Sequence, residues 1–336
     1  MICTARRAET LSTRTVARLR LWQNAAARPT PKQQAQIPIP IIDTNGIRIC
    51  FEETGVRGNP SVLLLHGLGC QLVQWPDSLI AGIVAAGFHV VRIDNRDVGL
   101  SDKLDRLGTV NLMTFFMPAG SGPPPVPPFT LADMSDDVAG VMDGLSLSRA
   151  HVVGVSMGGM IAQQLAIRHP QRVLSLTSIM STSGAPNLPA PEPAAIGSIM
   201  SVPASSQREG IIAHVERSWD LIGGSHYKST EVGMGRKTAE AFDRCRHPPG
   251  ILRQMAAVLA DVGRADALSR IGAPTLVLHG EIDPLVPLGC GEDTARRIPG
   301  AKIKVIPKMG HDLPDPLIQE VLELLVTHWR AAAAPQ

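Results

Sequence analysis

The sequence has few of the features that mark nucleic-acid-binding or membrane proteins. Aromatic residues make up 3% of its 336 residues, and the formal net charge is only +2. Because the charge is small and no basic stripe with interleaved aromatics is present, we predict no nucleic-acid partner. No apolar run approaches the ~20 residues that span a bilayer. We therefore predict no membrane span.

Cysteine is also scarce, and its spacing is irregular. The 5 cysteines are widely separated, and no two form a C-x-x-C pair (Cys3, Cys50, Cys70, Cys245 and Cys290). An odd number without paired spacing argues against a disulfide framework and against a zinc site. We expect no bound metal, and we interpret Cys70 as a small buried hydrophobic residue.

Acidic residues are nearly absent from the first 36 positions. Glu9 is the single acid there, among several arginines and many Ser and Thr residues (Arg6, Arg7, Arg14, Arg18, Arg20 and Arg28). This composition resembles a transit peptide, but the arginines interrupt every apolar run, so no secretory signal is predicted. We interpret residues 1–36 as a mobile basic extension and expect a cytoplasmic protein.

The most informative stretch of the chain reads AHVVGVSMGGM and runs from Ala150 to Met160. An apolar strand pattern leads into a G-x-S-x-G pentapeptide centred on Ser156, and a helical pattern follows. A serine at such a strand-to-helix turn is held in a strained backbone conformation, so its hydroxyl projects from the sheet edge. Gly154 and Gly158 leave room for the helix to pass close to the strand. Ser156 is the candidate nucleophile.

A serine hydroxyl needs a base to take its proton, and the expected chain order is Ser, then Asp or Glu, then His. Asp283 follows a buried strand pattern, and Glu281 is the competing acid. The arrangement strand-Gly-x-x-Asp-x-x-x-Pro favours Asp283. His311 follows the last strand pattern and is the candidate base. His328, near the end of an amphipathic helix pattern, is interpreted as a surface residue.

An oxyanion hole is the fourth component that this chemistry needs. The apolar run Ser61–Leu65 ends in the sequence H-G-L-G at residues 66–69. A turn of this type donates one backbone N–H to the tetrahedral intermediate, and the residue after the nucleophile donates the other. We predict that the amides of Leu68 and Met157 are these donors, each worth ~3 kcal/mol in the transition state. We interpret His66 as scaffolding for the turn.

With these motifs, the chain resembles the α/β-hydrolase superfamily from about Ile39 to the C-terminal helix. Residues 94–102 resemble the family's D-x-R-G-x-G-x-S loop, in which Asp97 replaces the first glycine. We interpret Asp94 and Arg96 as bracing neighbouring turns. The segments H-G-L-G-C, R-D-V-G-L-S-D, S-M-G-G-M-I-A-Q and G-H-D-L-P resemble the aclacinomycin methylesterase-type enzymes. That resemblance implies hydrolysis of a small-molecule carboxylic ester without a cofactor.

The alternation of strand and helix patterns agrees with this resemblance and predicts an α/β fold. We expect the α/β-hydrolase fold, with a mostly parallel central sheet, helices on both faces and a helical cap inserted after the sixth strand. The sheet pattern disappears over residues 183–265, which we predict to be the cap. The core then comprises residues 37–182 and 266–336. Helices are predicted in the cap over Gln207–Ile222, Ser229–Cys245 and Ile251–Leu259.

A cap in this position excludes water and shapes the substrate pocket. Large apolar cap side chains are candidates for the pocket wall, although each has an equally simple interpretation as packing between cap and core. They are Trp219, Met234, Phe242 and Met255.

We predict hydrolysis of a small-molecule ester through an acyl-enzyme, by a monomer or homodimer. The same triad also supports perhydrolysis or haloperoxidase-like chemistry, C–C bond hydrolysis and acyl transfer. Dehalogenases and epoxide hydrolases are disfavoured because both need an aspartate where this chain has Ser156. A ligand receptor built on the hydrolase fold is the alternative from a different functional class.

Overall fold

A computed structural model of the protein describes residues 40–116, 125–227 and 237–333. The basic extension at residues 1–36 lies outside this range, so its mobility and the cytoplasmic location stay predictions. Within the described range, no helix has the length and apolar character needed to cross a membrane.

The described residues form an eight-stranded central sheet with the strand order β1-β2-β4-β3-β5-β6-β7-β8. β1 pairs with β2 and β2 pairs with β4 in antiparallel fashion, and the other neighbouring strands are parallel. The predicted mostly parallel sheet is therefore confirmed. The strands are β1 (Ile41–Thr44), β2 (Ile47–Thr54), β3 (Ser61–Leu65), β4 (His89–Ile93), β5 (Ala150–Val155), β6 (Val173–Ile179), β7 (Thr275–Gly280) and β8 (Lys302–Ile306).

The strand patterns follow from burial and from turn chemistry. Every residue of β3 and of β5 is buried, as expected for central parallel strands that are covered on both faces. The turn between β1 and β2 places Asn45 at φ 48° and Gly46 at φ 75°. A two-residue hairpin turn requires positive φ at both positions, which Asn and Gly adopt at low cost.

Helices cover both faces of the sheet, as predicted. Leu63 and Leu65 of β3 pack into one apolar cluster, and the intervening Leu64 packs into another on the opposite face. This alternation is the two-residue period of a strand. The core helices are α1 (Asp77–Ala85), α2 (Leu131–Gly144), α3 (Met157–Arg168), α9 (Leu288–Arg297) and α10 (Ile318–Ala333).

Residues 183–265, between β6 and β7, form what we call the cap segment. Its described residues contain the helices α4 (Pro193–Met200), α5 (Arg208–Ile222), α6 (Thr238–Arg244) and α7 (Pro248–Leu259), with α8 (Arg264–Ala267) at its end. The helix predicted over Ser229–Cys245 is described only from residue 237 onward, and there it forms α6.

Helices α4, α8 and α9 were not predicted from the sequence. Three prolines precede α4 and a fourth begins it, a pattern typical of a loop, yet Pro193 occupies the first turn of that helix, where a missing N–H costs nothing. In α9, Gly289 and Gly291 lower the helix propensity. The surface interpretation of His328 was wrong: α10 packs against the sheet, and the imidazole lies 3.2 Å from the Leu176 carbonyl oxygen.

The described cysteines are all free thiols. Cys70 is buried, and burial raises the pKa of its thiol to about 12. A neutral, buried thiol fits its interpretation as a small hydrophobic residue. Among the residues that the structure describes, no group of His, Cys, Asp and Glu side chains could hold a metal ion.

Candidate active site

Ser156 lies between β5 and α3 with φ 55° and ψ −121°. This conformation is rare for any residue except glycine, so the predicted backbone strain is confirmed. Hydrogen bonds hold both sides of the strained residue. Its N–H donates to the Ile179 carbonyl at 2.9 Å, and the Ser181 hydroxyl donates to its carbonyl oxygen at 2.8 Å.

The two glycines of the pentapeptide are required by packing. A Cβ at Gly154 would lie 2.1 Å from the carbonyl oxygen of Gly158, and a Cβ at Gly158 would lie 2.1 Å from that of Leu65. Both distances are far below van der Waals contact with backbone atoms that cannot move aside. The close approach of helix and strand is therefore confirmed.

Asp283 and His311 form a buried hydrogen-bonded pair. His311 Nδ1 lies 2.7 Å from Asp283 Oδ2, and each residue is 4% exposed. The other carboxylate oxygen accepts hydrogen bonds from the amides of Leu285 at 2.9 Å and Val286 at 2.8 Å. Because the turn fixes the carboxylate in this way, the carboxylate can orient the imidazole and stabilise its protonated form.

Glu281, which its position in sequence made the competing acid, has a different contact in the structure. Its side chain is exposed, and Oε2 accepts a hydrogen bond from the Lys308 amide at 2.9 Å. Asp283, and not Glu281, therefore meets the histidine.

The H-G-L-G segment forms a turn directly beside Ser156. The Cys70 amide donates to the Gly67 carbonyl at 3.2 Å, and Gly69 has φ 69°, as the third residue of a type II turn requires. A Cβ at Gly67 would lie 3.3 Å from Ser156 Cβ and 3.8 Å from its Oγ. A larger residue at position 67 would therefore press on the candidate nucleophile.

Leu68 is the second residue of this turn, and Met157 is the first residue of α3. Within the described parts of the chain, neither amide donates a hydrogen bond to another residue. The first amides of a helix have no partner inside the helix and carry its positive dipole end. The amides of Leu68 and Met157 next to Ser156 are therefore suited to bind a developing negative charge.

His66 supports the turn from within the protein. Its Nδ1 accepts a hydrogen bond from the Gly67 amide at 2.8 Å, and its ring lies beside that of Trp75, with the centroids 4.9 Å apart. Burial lowers the pKa of His66 to about 4. The imidazole is therefore neutral near pH 7, which suits scaffolding better than proton transfer.

The predicted pocket residues occupy different places. Met255 is buried in an apolar cluster against which Leu68 packs, so it lies close to the turn beside Ser156. Trp219 is half-buried against the cluster that contains Leu313. Phe242 lies 5.9 Å from the guanidinium of Arg208. Met234 is outside the described residues. A pocket role for these residues stays a prediction.

The loop after β4 contacts the cap segment through two arginines that sequence reasoning missed. The interpretation of Asp94 as a brace holds, since its carboxylate accepts the Leu72 amide at 2.8 Å, and it also pairs with Arg244 at 2.6 Å. Asp97 pairs with Arg253 through two hydrogen bonds, of 2.5 and 2.9 Å.

The Asp97–Arg253 pair is almost completely buried, since the two residues are 0% and 1% exposed. Burial acts to raise the pKa of Asp97, but the hydrogen bonds from Arg253 hold it below its ordinary value. Asp97 also has φ 71°, a left-handed conformation that glycine adopts freely and that aspartate adopts more readily than most residues. The sequence did contain one signal for this pair, because Asp97 stands where the family loop has its first glycine.

We expect Arg253→Met to lower the free energy of unfolding by about 3–5 kcal/mol, because it takes the guanidinium from a buried carboxylate and leaves only the Leu104 amide and His247, 3.3 Å away, as its partners. Urea denaturation measures the change. Arg208→Met is the matched control: its pair with Asp243 is exposed, so a loss below about 1 kcal/mol is expected. The double variant Asp97→Asn/Arg253→Met should recover part of the loss. Equal losses for the buried and exposed pairs would contradict this account.

Comparison with known proteins identifies the family. Residues 60–315 match the alpha/beta hydrolase fold family. The chain belongs to this family. It is 28% identical over 322 residues to rhodomycin D methylesterase of Streptomyces peucetius, covering 88% of this chain and 99% of that protein. The predicted resemblance to methylesterase-type enzymes is thereby confirmed.

Other similar proteins are named for different activities. A 2-hydroxy-6-oxononadienedioate/2-hydroxy-6-oxononatrienedioate hydrolase of Cupriavidus pinatubonensis is 28% identical over 269 residues, or 79% of this chain and 84% of that protein. The solved meta-cleavage product hydrolase of Pseudomonas fluorescens superposes with a TM-score of 0.66 at 19% identity, covering 87% and 98% of the two chains. At that identity, the likeness shows the fold alone.

Proposed function

We propose that this protein is a serine carboxylic ester hydrolase that acts on a small-molecule ester. The observation that carries the proposal is the 2.7 Å hydrogen bond between His311 and Asp283. These residues follow β8 and β7, and Ser156 follows β5, so all three lie beyond the carboxyl ends of parallel strands. This edge of an open α/β sheet is where ligands bind.

In the proposed reaction, His311 accepts the proton of the Ser156 hydroxyl while the serine oxygen attacks the ester carbonyl carbon. Asp283 stabilises the imidazolium that forms. The amides of Leu68 and Met157 donate hydrogen bonds to the carbonyl oxygen as it becomes negative.

The tetrahedral intermediate then collapses, and the bond between the carbonyl carbon and the alcohol oxygen breaks. His311 returns its proton to the departing alcohol, which leaves an acyl group on Ser156. A water molecule next gives a proton to His311 and attacks the acyl carbon. Release of the carboxylic acid restores the serine hydroxyl, so the cycle consumes one water and no cofactor.

We further propose that the cap segment covers this site and excludes water. Two contacts support this arrangement. Met255 of α7 lies in the cluster against which Leu68 packs. At the other end, the carbonyl of Ile222 in α5 accepts the His311 amide at 2.7 Å. Helices of the cap segment therefore contact both the proposed oxyanion turn and the histidine loop.

C–C bond hydrolysis is a second candidate function. It is favoured by the 28% identity to a hydrolase that is named for a 2-hydroxy-6-oxo dienedioate substrate. The same serine, histidine and aspartate would serve this reaction, so the two functions differ in the pocket rather than in the triad.

A substrate panel tests the proposal. We expect multiple turnovers with p-nitrophenyl and methyl esters of varied acyl size, and a kcat/KM for the best ester at least tenfold above that for a 2-hydroxy-6-oxohexa-2,4-dienoate (about 1.4 kcal/mol in transition-state binding). The opposite order would establish C–C hydrolysis. A stoichiometric burst without further turnover would instead indicate a ligand receptor.

A further inference from the structure

Gln254 joins the cap segment to the turn that contains Leu68. This glutamine of α7 is fully buried at 0% exposure. Its Oε1 accepts a hydrogen bond from the Gly69 amide at 2.9 Å, and its Nε2 donates to the Arg96 carbonyl at 2.8 Å. One neutral side chain thus connects the H-G-L-G turn to the loop after β4.

The helix that carries Gln254 is fixed in position on the core. Arg253 forms the buried pair with Asp97 described above. A Cβ at Gly250 would lie 2.0 Å from the Asp97 carbonyl oxygen, so the first turn of α7 rests directly on that backbone. The Ile251 side chain would lie 3.1 Å from a Cβ at Gly69. These contacts define where the Gln254 amide can reach.

The Gly69 amide belongs to the peptide unit that immediately follows Leu68. The orientation of this central peptide distinguishes a type II turn from a type I turn. Gln254 holds its N–H, and the Cys70–Gly67 hydrogen bond closes the turn. Both constraints together fix the backbone on the carboxyl side of Leu68, and so restrict where the Leu68 N–H can lie.

We propose that Gln254 is a positioning residue that sets the geometry of the oxyanion hole from the cap segment. This inference rests on the proposed esterase function and on Leu68 as an oxyanion donor. An amide suits the task because it supplies both an acceptor and a donor without placing a charge near the reacting atoms. The cap segment then assists the chemical step in addition to enclosing the substrate.

We expect Gln254→Met, which keeps the side-chain length and removes both hydrogen bonds, to lower kcat for a p-nitrophenyl ester by about 10–100-fold. Loss of a whole oxyanion donor costs about 10²–10³ in kcat, and a misplaced donor loses part of that. KM should stay within about threefold, since the ground-state ester gains little from the hole. Steady-state kinetics separates the two parameters.

Affinity for phenylboronic acid supplies a second readout. Its adduct with a serine is tetrahedral and anionic, so its inhibition constant should weaken by the same factor as kcat. Gln164→Met is the matched control: this half-buried amide on α3 donates to Asp261 at 3.2 Å, and we expect kcat and inhibition to be unchanged. Thermal unfolding checks that both variants are folded.

Unchanged kcat and unchanged boronic acid inhibition in Gln254→Met would overturn the proposal, and so would a rise in KM that accounts for the whole loss of kcat/KM. If this variant does not fold, Gln254→Asn, which is one methylene shorter, replaces it. The same fall in kcat with little change in KM is expected. Ser156→Ala distinguishes a failure of the esterase mechanism from a failure of the role of Gln254. Normal turnover in Ser156→Ala defeats the esterase mechanism itself, whereas loss there with normal kcat in Gln254→Met defeats only the role of Gln254.

Discussion

Ser156→Ala is expected to lower kcat/KM for a p-nitrophenyl ester by about 10⁴-fold or more, since removal of a serine nucleophile eliminates the acyl-enzyme route. The fold should be preserved. The hydrogen bonds that hold the strained residue involve its backbone N–H and carbonyl, which alanine retains. Alanine also adopts φ 55° no less readily than serine does. Initial rates together with the melting temperature measure both effects.

Ser178→Ala is a suitable control for this experiment. Ser178 is another buried serine, on β6, and accepts a hydrogen bond from Gln163 at 3.2 Å. Its replacement should cost about 1 kcal/mol of stability and leave the rate unchanged. If Ser156→Ala still turned over the ester at a tenth of the wild-type rate, Ser156 could not be the nucleophile.

Asp283→Asn is expected to lower kcat by about 10⁴-fold, because it favours the wrong tautomer of His311. In the wild type, Asp283 Oδ2 accepts the Nδ1 proton of His311 and leaves the other ring nitrogen free to accept the proton of the serine. An asparagine can keep its oxygen on the amides of Leu285 and Val286, which directs its NH₂ group at the imidazole. The ring nitrogen facing this group must then act as an acceptor, and the proton moves to the other nitrogen.

Glu281→Gln is the matched comparison, because it removes a carboxylate charge two residues away. The glutamine oxygen can still accept the Lys308 amide, so kcat should change by less than about twofold, in line with a surface substitution. A single-turnover assay shows whether acylation is the step that fails in Asp283→Asn. Losses of similar size in both variants would mean that the histidine does not depend on Asp283.

Much of the fold was predictable because its signals are local. The bounds of β3 match the apolar run Ser61–Leu65 residue for residue, since a continuous apolar run marks a strand covered on both faces. α4 and α9 were missed for an equally local reason. Their prolines and glycines have poor helix propensity, and packing in the folded protein compensates for it.

The candidate site also contains residues that local motifs predict and residues that they do not. Ser156, Asp283 and His311 are marked by short motifs in a required order, so their positions along the chain could be predicted. Gln254 and Arg253 lie within a run of α7 that reads I-L-R-Q-M-A-A-V-L, where nothing local marks either as a partner of a loop more than a hundred residues earlier. Only the tertiary structure brings these groups together.

The two aspartates that receive arginines from the cap segment also restrict how this enzyme can be re-engineered. A chimaera that grafts residues 183–265 from another hydrolase has to bring a basic partner for Asp94 and for Asp97. Otherwise the recipient core must lose those acids, with glycine or asparagine at position 97 to preserve the left-handed backbone. A chimaera without these partners would leave two buried carboxylates without a counter-charge, at a cost of about 3–5 kcal/mol for each.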